Sequence, residues 1–185
     1  MGRSRCSSAD YARSQEVLAL PHRPPVAGQI LVQALLASET RHEREMIGSA
    51  LLEMLNESFE LPTCKLTVAD RAQTHATNEE GRLVQKTYGY YRCRIPRPAA
   101  MPERCGIRIY HRTAIRCQVL APGAFTSTLI HEWTHHFDFT GLRLGRSPHT
   151  RGFYSRVHSA GDLLGYSGGG SSSPIWPVER LHSAS

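Results

Sequence analysis

The stretch LIHEWTHHFDFTGLRLGRSPHTRGF, residues 129–153, contains the pattern H-E-x-x-H at His131, Glu132 and His135. On an α-helix, residues four apart lie on the same face, so both imidazoles would point towards one ion. The pattern indicates a metal site only where the chain is helical. The flanking residues therefore decide what it means.

Independent helix signals surround the pattern within residues 121–141. Pro122 is typical of a first helical turn, and Gly141 is typical of the position just after a helix. A second helix is predicted from about His149 to Leu164, because its apolar residues recur at spacings of four, three and four. The sequence therefore predicts two helices joined by a short loop.

Glu132 lies next to one predicted ligand and three residues before the other, beside the same helix face. From there its carboxylate could take a proton from a water on zinc and return it to a leaving amine. Zinc lowers the pKa of such a water to about 7. We therefore expect Zn²⁺ as the cofactor and Glu132 as the general base.

A catalytic zinc needs a third protein ligand and one open position. Six residues after the second motif histidine stands Gly141, which excludes one common ligand spacing, and Glu179 lies near the end of the chain. Asp138 is too close in the chain to complete the site; it either orients a ligand or is a helix-end acid. His136 lies off the metal face, so elimination leaves His149 as the expected third ligand.

Segments before the motif predict helices followed by strands. Residues 26–38 and 39–59 have helical apolar spacing. Residues 64–70, 82–95 and 106–115 have the alternation and the β-branched or aromatic content of strands. The order of helices, about three strands and two more helices predicts an α+β fold with a small sheet packed against helices.

Both ends of the chain are predicted to lie outside the folded part. Residues 1–25 are rich in Ser, Arg and Pro without periodicity, so we expect a disordered leader there. Residues 166–185 are expected to form a flexible tail rich in Gly and Ser. Residues 26–165 then form a single domain.

Cysteine usage and apolar runs bear on the compartment. The five cysteines include no C-x-x-C pair, which argues against a disulfide framework and against a cysteine zinc ribbon. Every apolar run is too short to span a bilayer, and the N-terminus lacks the apolar region of a signal peptide. We expect a cytoplasmic protein that does not contact the membrane.

The net charge of +6 is concentrated in one segment. Residues 81–120 contain nine basic residues and one acidic residue, a net of +8, interleaved with four tyrosines. Arginine and tyrosine together are typical of a surface that binds single-stranded nucleic acid. The alternative is a sheet whose tyrosines are half in the core and whose arginines form its solvated face.

The chain resembles the SprT-like zinc metallopeptidases, the family that includes the Spartan proteases. The similarity is carried by LIHEWTHHFDFTG and HTRGFYSRV, with MLNESFELPTCKLTV, KTYGYYRCR and GIRIYH upstream, over roughly residues 46–164. The family often has a glycine directly after its third histidine. In this chain a threonine follows His149, and the next glycine is Gly152, three residues after that histidine.

The resemblance implies a minimal zincin-like fold, with two active-site helices packed against a three-stranded sheet. It implies His131, His135 and His149 as zinc ligands and Glu132 as the catalytic glutamate. It also implies that an extended substrate pairs with the edge of the strand nearest the active helix, for which residues 107–111 are the candidate.

Two functions from different classes remain. The first is a zinc-dependent endopeptidase that acts on proteins, with nucleic acid as a further candidate partner through residues 81–120. The second is a non-catalytic zinc-containing module that binds DNA or protein. An intact Glu132 favours the first, because a module without catalysis does not need a carboxylate there. A self-processing protein is a third alternative, which the sequence neither supports nor excludes.

Overall fold

The computed structural model describes residues 8–94 and 101–167, which form five helices and five strands. The helices are α1 (Ser8–Glu16), α2 (Ala27–Leu36), α3 (Arg41–Ser58), α4 (Pro122–Thr140) and α5 (Arg151–Leu163). The strands are β1 (Cys64–Ala72), β2 (Thr74–Thr77), β3 (Leu83–Thr87), β4 (Gly89–Arg94) and β5 (Glu103–Arg112). The predicted α+β class is confirmed.

The main sheet has three strands in the order β1-β5-β4. Strand β5 runs parallel to β1, with Val68 beside Ile109, and antiparallel to β4, with Tyr91 beside Ile107. A small sheet of about three strands was expected, and this one matches it. However, β5 is central and has a partner on each side, so the expectation that residues 107–111 offer a free edge is wrong.

The segment 82–95, predicted as one strand, is divided in the structure. Its first half, β3, pairs with β2 in a separate antiparallel hairpin, and its second half, β4, joins the main sheet. The change of partner occurs at Gly89, where a Cβ would lie 2.7 Å from the carbonyl oxygen of Arg108. A larger residue would prevent this close approach of β4 to β5.

Helices α3 and α4 pack on the inner face of the main sheet and form the core with it. Trp133 on α4 is fully buried and donates its Nε1 proton to Asn56 Oδ1 on α3 at 3.0 Å. Thr40 and Glu43 form a capping box that fixes where α3 begins. The best-buried apolar residues are Leu51, Leu52, Leu55, Leu66, Val68, Ile107, Ile109, Phe125 and Leu129.

The N-terminal segment differs from the expected disordered leader, because residues 8–16 form helix α1 against α5. Ser14 is fully buried there, and its Oγ lies 2.8 Å from Thr150 Oγ1. A Cβ on Gly152 would come within 1.8 Å of the Ser14 carbonyl oxygen, so only glycine permits this contact. The helix depends on a distant segment, which local periodicity does not reveal.

The predicted tail begins at residue 166, and residues 168–185 lie outside the described part of the chain. Tyr166 itself is half-buried and donates its hydroxyl proton to the carbonyl oxygen of Gly123 at 2.8 Å. Within residues 8–94 and 101–167, none of the helices has both the length and the apolar character that a membrane span requires.

Candidate metal centre

Helix α4 carries the motif through the interior of the protein. His131, Glu132 and His135 are 4%, 2% and 6% exposed. The predicted start of this helix is confirmed, because Pro122 occupies its first turn. Burial on all sides suits a helix that lies between a sheet and a second helix, and it removes the motif from bulk water.

His149 lies in the loop between α4 and α5, two residues before α5 begins. The loop ends at Thr150, whose Oγ1 accepts a hydrogen bond from the backbone N–H of Phe153 at 3.0 Å and caps the helix. The cap fixes the path of the chain directly after His149. A residue distant from the motif by more than a dozen positions is thereby held beside it.

The three histidines converge through their ring nitrogens. His149 Nε2 lies 3.1 Å from His131 Nε2 and 3.0 Å from His135 Nε2. One ligand nitrogen of each ring lies within 4.8 Å of the other two. Nitrogens on a tetrahedral zinc, each about 2.0–2.1 Å from it, are separated by about 3.3–3.4 Å. The observed spacing is close to that.

A metal ion accounts for this arrangement better than hydrogen bonding among the rings does. Each imidazole nitrogen has a single in-plane lobe, which holds either a proton or a lone pair. A proton on His149 Nε2 can point properly at only one of the other two nitrogens. A cation at the centre is contacted by all three lone pairs, so the donor set fits a metal such as zinc.

Burial keeps these imidazoles neutral, as metal ligands must be. It lowers the pKa of His131 to about 3, with a further contribution from the nearby His149. Burial also lowers the pKa of His149, and it lowers the pKa of His135 well below its ordinary value. Burial therefore favours the neutral form of all three rings, which is the form that binds a metal.

Two aromatic residues of α5 surround the histidines. The Phe153 ring stacks on His135 with 4.5 Å between centroids, and it lies 4.9 Å from both His131 and His149. Tyr154 stacks on His149 at 5.8 Å. From the sequence, Phe153 is only one of the apolar residues whose spacing predicts the second helix. Its contact with all three imidazoles depends on how the two helices cross, so spacing alone could not reveal it.

Asp138 was left as either a residue that orients a ligand or a simple helix-end acid, and its contacts match the first description. Ser147 connects it to the site: the Ser147 hydroxyl donates to Asp138 Oδ2 at 2.8 Å and lies 2.7 Å from His135 Nδ1. Ser147 was not singled out from the sequence. A serine in a loop carries no spacing signal that would single it out.

Arg156 is engaged with Asp138 and is not free to contact a substrate. Its Nε and Nη2 donate to the two carboxylate oxygens at 2.9 and 2.8 Å, and both side chains are fully buried. Protein encloses this guanidinium, so it is not available to stabilise an oxyanion.

His136 belongs to a different face of α4, which packs against β4. Its Nε2 lies 2.9 Å from the Pro62 carbonyl oxygen, and its Nδ1 lies 3.1 Å from the Tyr91 hydroxyl. Burial lowers its pKa to about 4. The prediction that His136 lies off the metal face agrees with this packing against β4.

The basic segment 81–120 is divided between two faces of the sheet. Tyr91 faces α4, so its neighbours Tyr90 and Arg92 face the other way, where the guanidinium lies over the Tyr90 ring at 4.6 Å. Residues 95–100 within the segment lie outside the described part. Nucleic-acid binding stays a prediction, which fluorescence anisotropy with a labelled single strand and an Arg92→Ala variant would test.

The site thus places three neutral imidazoles around one point, with a buried carboxylate adjacent in the chain. Such a set can bind a divalent cation with room for a further ligand, and can supply a base beside it. Comparison with protein-family models, with curated proteins and with solved structures finds no match to this chain.

Proposed function

We propose that the protein is a zinc-dependent endopeptidase in which Glu132 is the general base. The observation that carries the proposal is the convergence of His131, His135 and His149 on one point. Glu132 directly follows the first of these histidines in the chain. The donor set supports zinc as the metal, since three imidazoles without a thiolate are typical of hydrolytic zinc.

The residues divide the chemistry between them. Bound zinc would supply a Lewis acid that acidifies water, lowering the water pKa to about 7. Glu132 accepts the proton of the attacking water and delivers it to the leaving amine. Its burial keeps bulk water from competing for the transferred proton.

The fold is consistent with the zincin-like architecture of SprT-like metallopeptidases, and we propose that relationship. The chain has a helix, a three-stranded sheet, the helix that carries His131 and His135, and a loop that carries His149 before a last helix, in the order that the resemblance implies. Among the described residues, β4 has a strand partner on one side only, and it packs against α4. Its other side is our candidate for pairing with an extended protein substrate.

We also propose a cytoplasmic location. Cys64, Cys93, Cys105 and Cys117 are all free thiols. Free thiols are typical of proteins in a reducing compartment.

Catalysis is tested by comparing the wild type with Glu132→Gln in one experiment. Zinc content is measured by elemental analysis, and cleavage is measured with casein and with the protein itself. We expect one zinc per chain in both proteins and a loss of cleavage of at least about 100-fold in the variant, because general-base catalysis contributes at least that much. Glutamine has nearly the shape of glutamate, so the variant should fold normally, and its zinc content checks that the metal site is intact.

The results also separate the two classes of function. A protein that holds one zinc and cleaves equally well with Gln at position 132 would show that the catalytic role is wrong. A wild type that holds zinc, binds partners and cleaves nothing would support the alternative, a non-catalytic module. Absence of zinc from a folded wild type, after incubation with the metal, would rule out both.

A further inference from the structure

A chain of buried polar contacts runs from one proposed metal ligand to the N-terminal helix. It passes from His135 Nδ1 to Ser147 Oγ at 2.7 Å, and from that hydroxyl to Asp138 Oδ2 at 2.8 Å. Arg156 then binds both oxygens of Asp138 and continues to the Ser14 carbonyl oxygen at 2.9 Å. Every side chain in it is buried.

The direction of each hydrogen bond in this chain can be deduced. A carboxylate held by two guanidinium N–H groups accepts and does not donate, so the single hydroxyl proton of Ser147 must point to Asp138. The Ser147 oxygen can then only accept from the imidazole. It follows that His135 carries its proton on Nδ1 and keeps a lone pair on Nε2, which is the nitrogen that faces the other two histidines.

We infer that Asp138 and Ser147 are positioning residues that fix His135 in the tautomer a metal ligand needs. Arg156 and helix α1 hold Asp138 in place for this purpose. Arg156 also donates to the carbonyl oxygen of Val17 and to Ser14 Oγ, so its guanidinium joins α1, α4 and α5. The inference rests on the metal centre proposed above, and it assigns a role to an N-terminal helix outside the motif.

This arrangement explains why a buried ion pair occurs beside the histidines. A buried pair is a poor source of stability, because removing two charges from water costs nearly as much as their attraction returns. Its value here is orientation, since a carboxylate that cannot rotate fixes one hydroxyl proton and thereby one imidazole. Outer partners of this kind typically contribute 10–100-fold to metal affinity, about the range expected for Ser147.

The test reads the tautomer directly in metal-free protein. Two-bond ¹⁵N–¹H correlation spectra of the imidazoles distinguish a ring protonated on Nδ1 from one protonated on Nε2. We expect His135 of the wild type to be protonated on Nδ1. The variant Ser147→Ala leaves the Asp138–Arg156 pair intact. In this variant we expect a mixture of His135 tautomers and a dissociation constant for Zn²⁺ that is about 10–100-fold higher.

Thr134→Val is the matched control, because it removes a buried hydroxyl next to His135. Among the described residues, that hydroxyl bonds only to the Ile130 carbonyl oxygen. We expect its tautomer and zinc affinity to equal those of the wild type. A wild-type His135 protonated on Nε2, or an unchanged tautomer in Ser147→Ala, would overturn the inference. Because the spectrum needs neither metal nor substrate, it can fail or succeed independently of whether the protein cleaves peptides.

Discussion

His135 and His136 are neighbours in the chain, and their rings carry the proton on opposite nitrogens. His135 donates from Nδ1 to Ser147 and directs its Nε2 lone pair at two other histidines. His136 donates from Nε2 to the Pro62 carbonyl oxygen, which can only accept, so its Nδ1 accepts from the Tyr91 hydroxyl. One ring directs a lone pair at the other histidines of the cluster, whereas the other ring bonds to a carbonyl oxygen and a tyrosine hydroxyl.

The difference shows that residue type and burial do not identify a metal ligand. Both rings are buried, and burial lowers the pKa of both. What separates them is the acceptor that each finds for its one proton. A histidine whose two nitrogens bond to ordinary donors and acceptors is a packing residue, whereas a histidine whose lone pair points at other imidazole nitrogens is a candidate ligand.

The largest expected effect is on zinc affinity, when His135 and His136 are each replaced by alanine. His135→Ala should weaken zinc binding by more than about 100-fold, since losing a ligand costs more than losing an outer partner. His136→Ala should leave zinc affinity within a few-fold of wild type and lower the free energy of unfolding instead. Isothermal titration with Zn²⁺ and urea unfolding measure the two quantities. Equal loss of zinc affinity in both variants would contradict the division of α4 into two faces.

The next effect concerns the support of the metal face by α1. Gly152→Ala should destabilise the protein by about 3 kcal/mol or more, at the upper end of overpacking costs, because the new methyl group meets backbone at 1.8 Å. Gly123→Ala is the control, since its nearest neighbour, the Tyr166 hydroxyl, lies at 3.7 Å. Urea unfolding checks both. A Gly152→Ala protein as stable as the control would show that α1 does not pack as described.

The smallest expected effect is the contribution of His136 to the pH dependence of the free energy of unfolding. The pKa of His136 is lowered to about 4 in the folded state, against about 6.5 when unfolded, so the unfolded state binds its proton first as pH falls. Its contribution to stability is therefore present above pH 6.5 and is lost between about pH 6.5 and 4. In metal-free protein, His136→Gln should reduce the slope of unfolding free energy by at most about 1.4 kcal/mol per pH unit.

That slope is measured by urea unfolding at several pH values, with the wild type as reference. A slope that is identical in wild type and His136→Gln would mean that His136 titrates in the folded state at its ordinary pKa.

The parts of this protein that the sequence predicts are those with a local signature. The motif helix, its Pro122 start and the alternation of β1 all follow from periods of 3.6 and 2, and they appear in the structure. Elimination of other candidate ligands predicts His149 as the third ligand. In the structure, His149 lies beside His131 and His135. A single loop histidine has no signature of its own.

The remaining features depend on contacts between distant segments. Helix α1 has a weak sequence pattern and is held by α5, so it resembles a leader when its residues are considered alone. The hairpin of β2 and β3 is short and exposed, and it interrupts a segment that has the composition of one strand. Ser147 acquires its role only when Asp138 and His135 lie on either side of it. Such features require knowledge of tertiary packing.

The contact between Ser14 and Thr150, 136 positions apart, has a consequence for the order of events during synthesis. Helix α1 leaves the ribosome before α5, so its buried serine has no partner until the loop that precedes α5 is made. Arg156 arrives with α5 as well, so Asp138 has no counter-charge until then. We expect the proposed metal site to reach its full affinity last, so a nascent chain that ends before residue 156 should contain all three histidines and bind Zn²⁺ more weakly than the full chain.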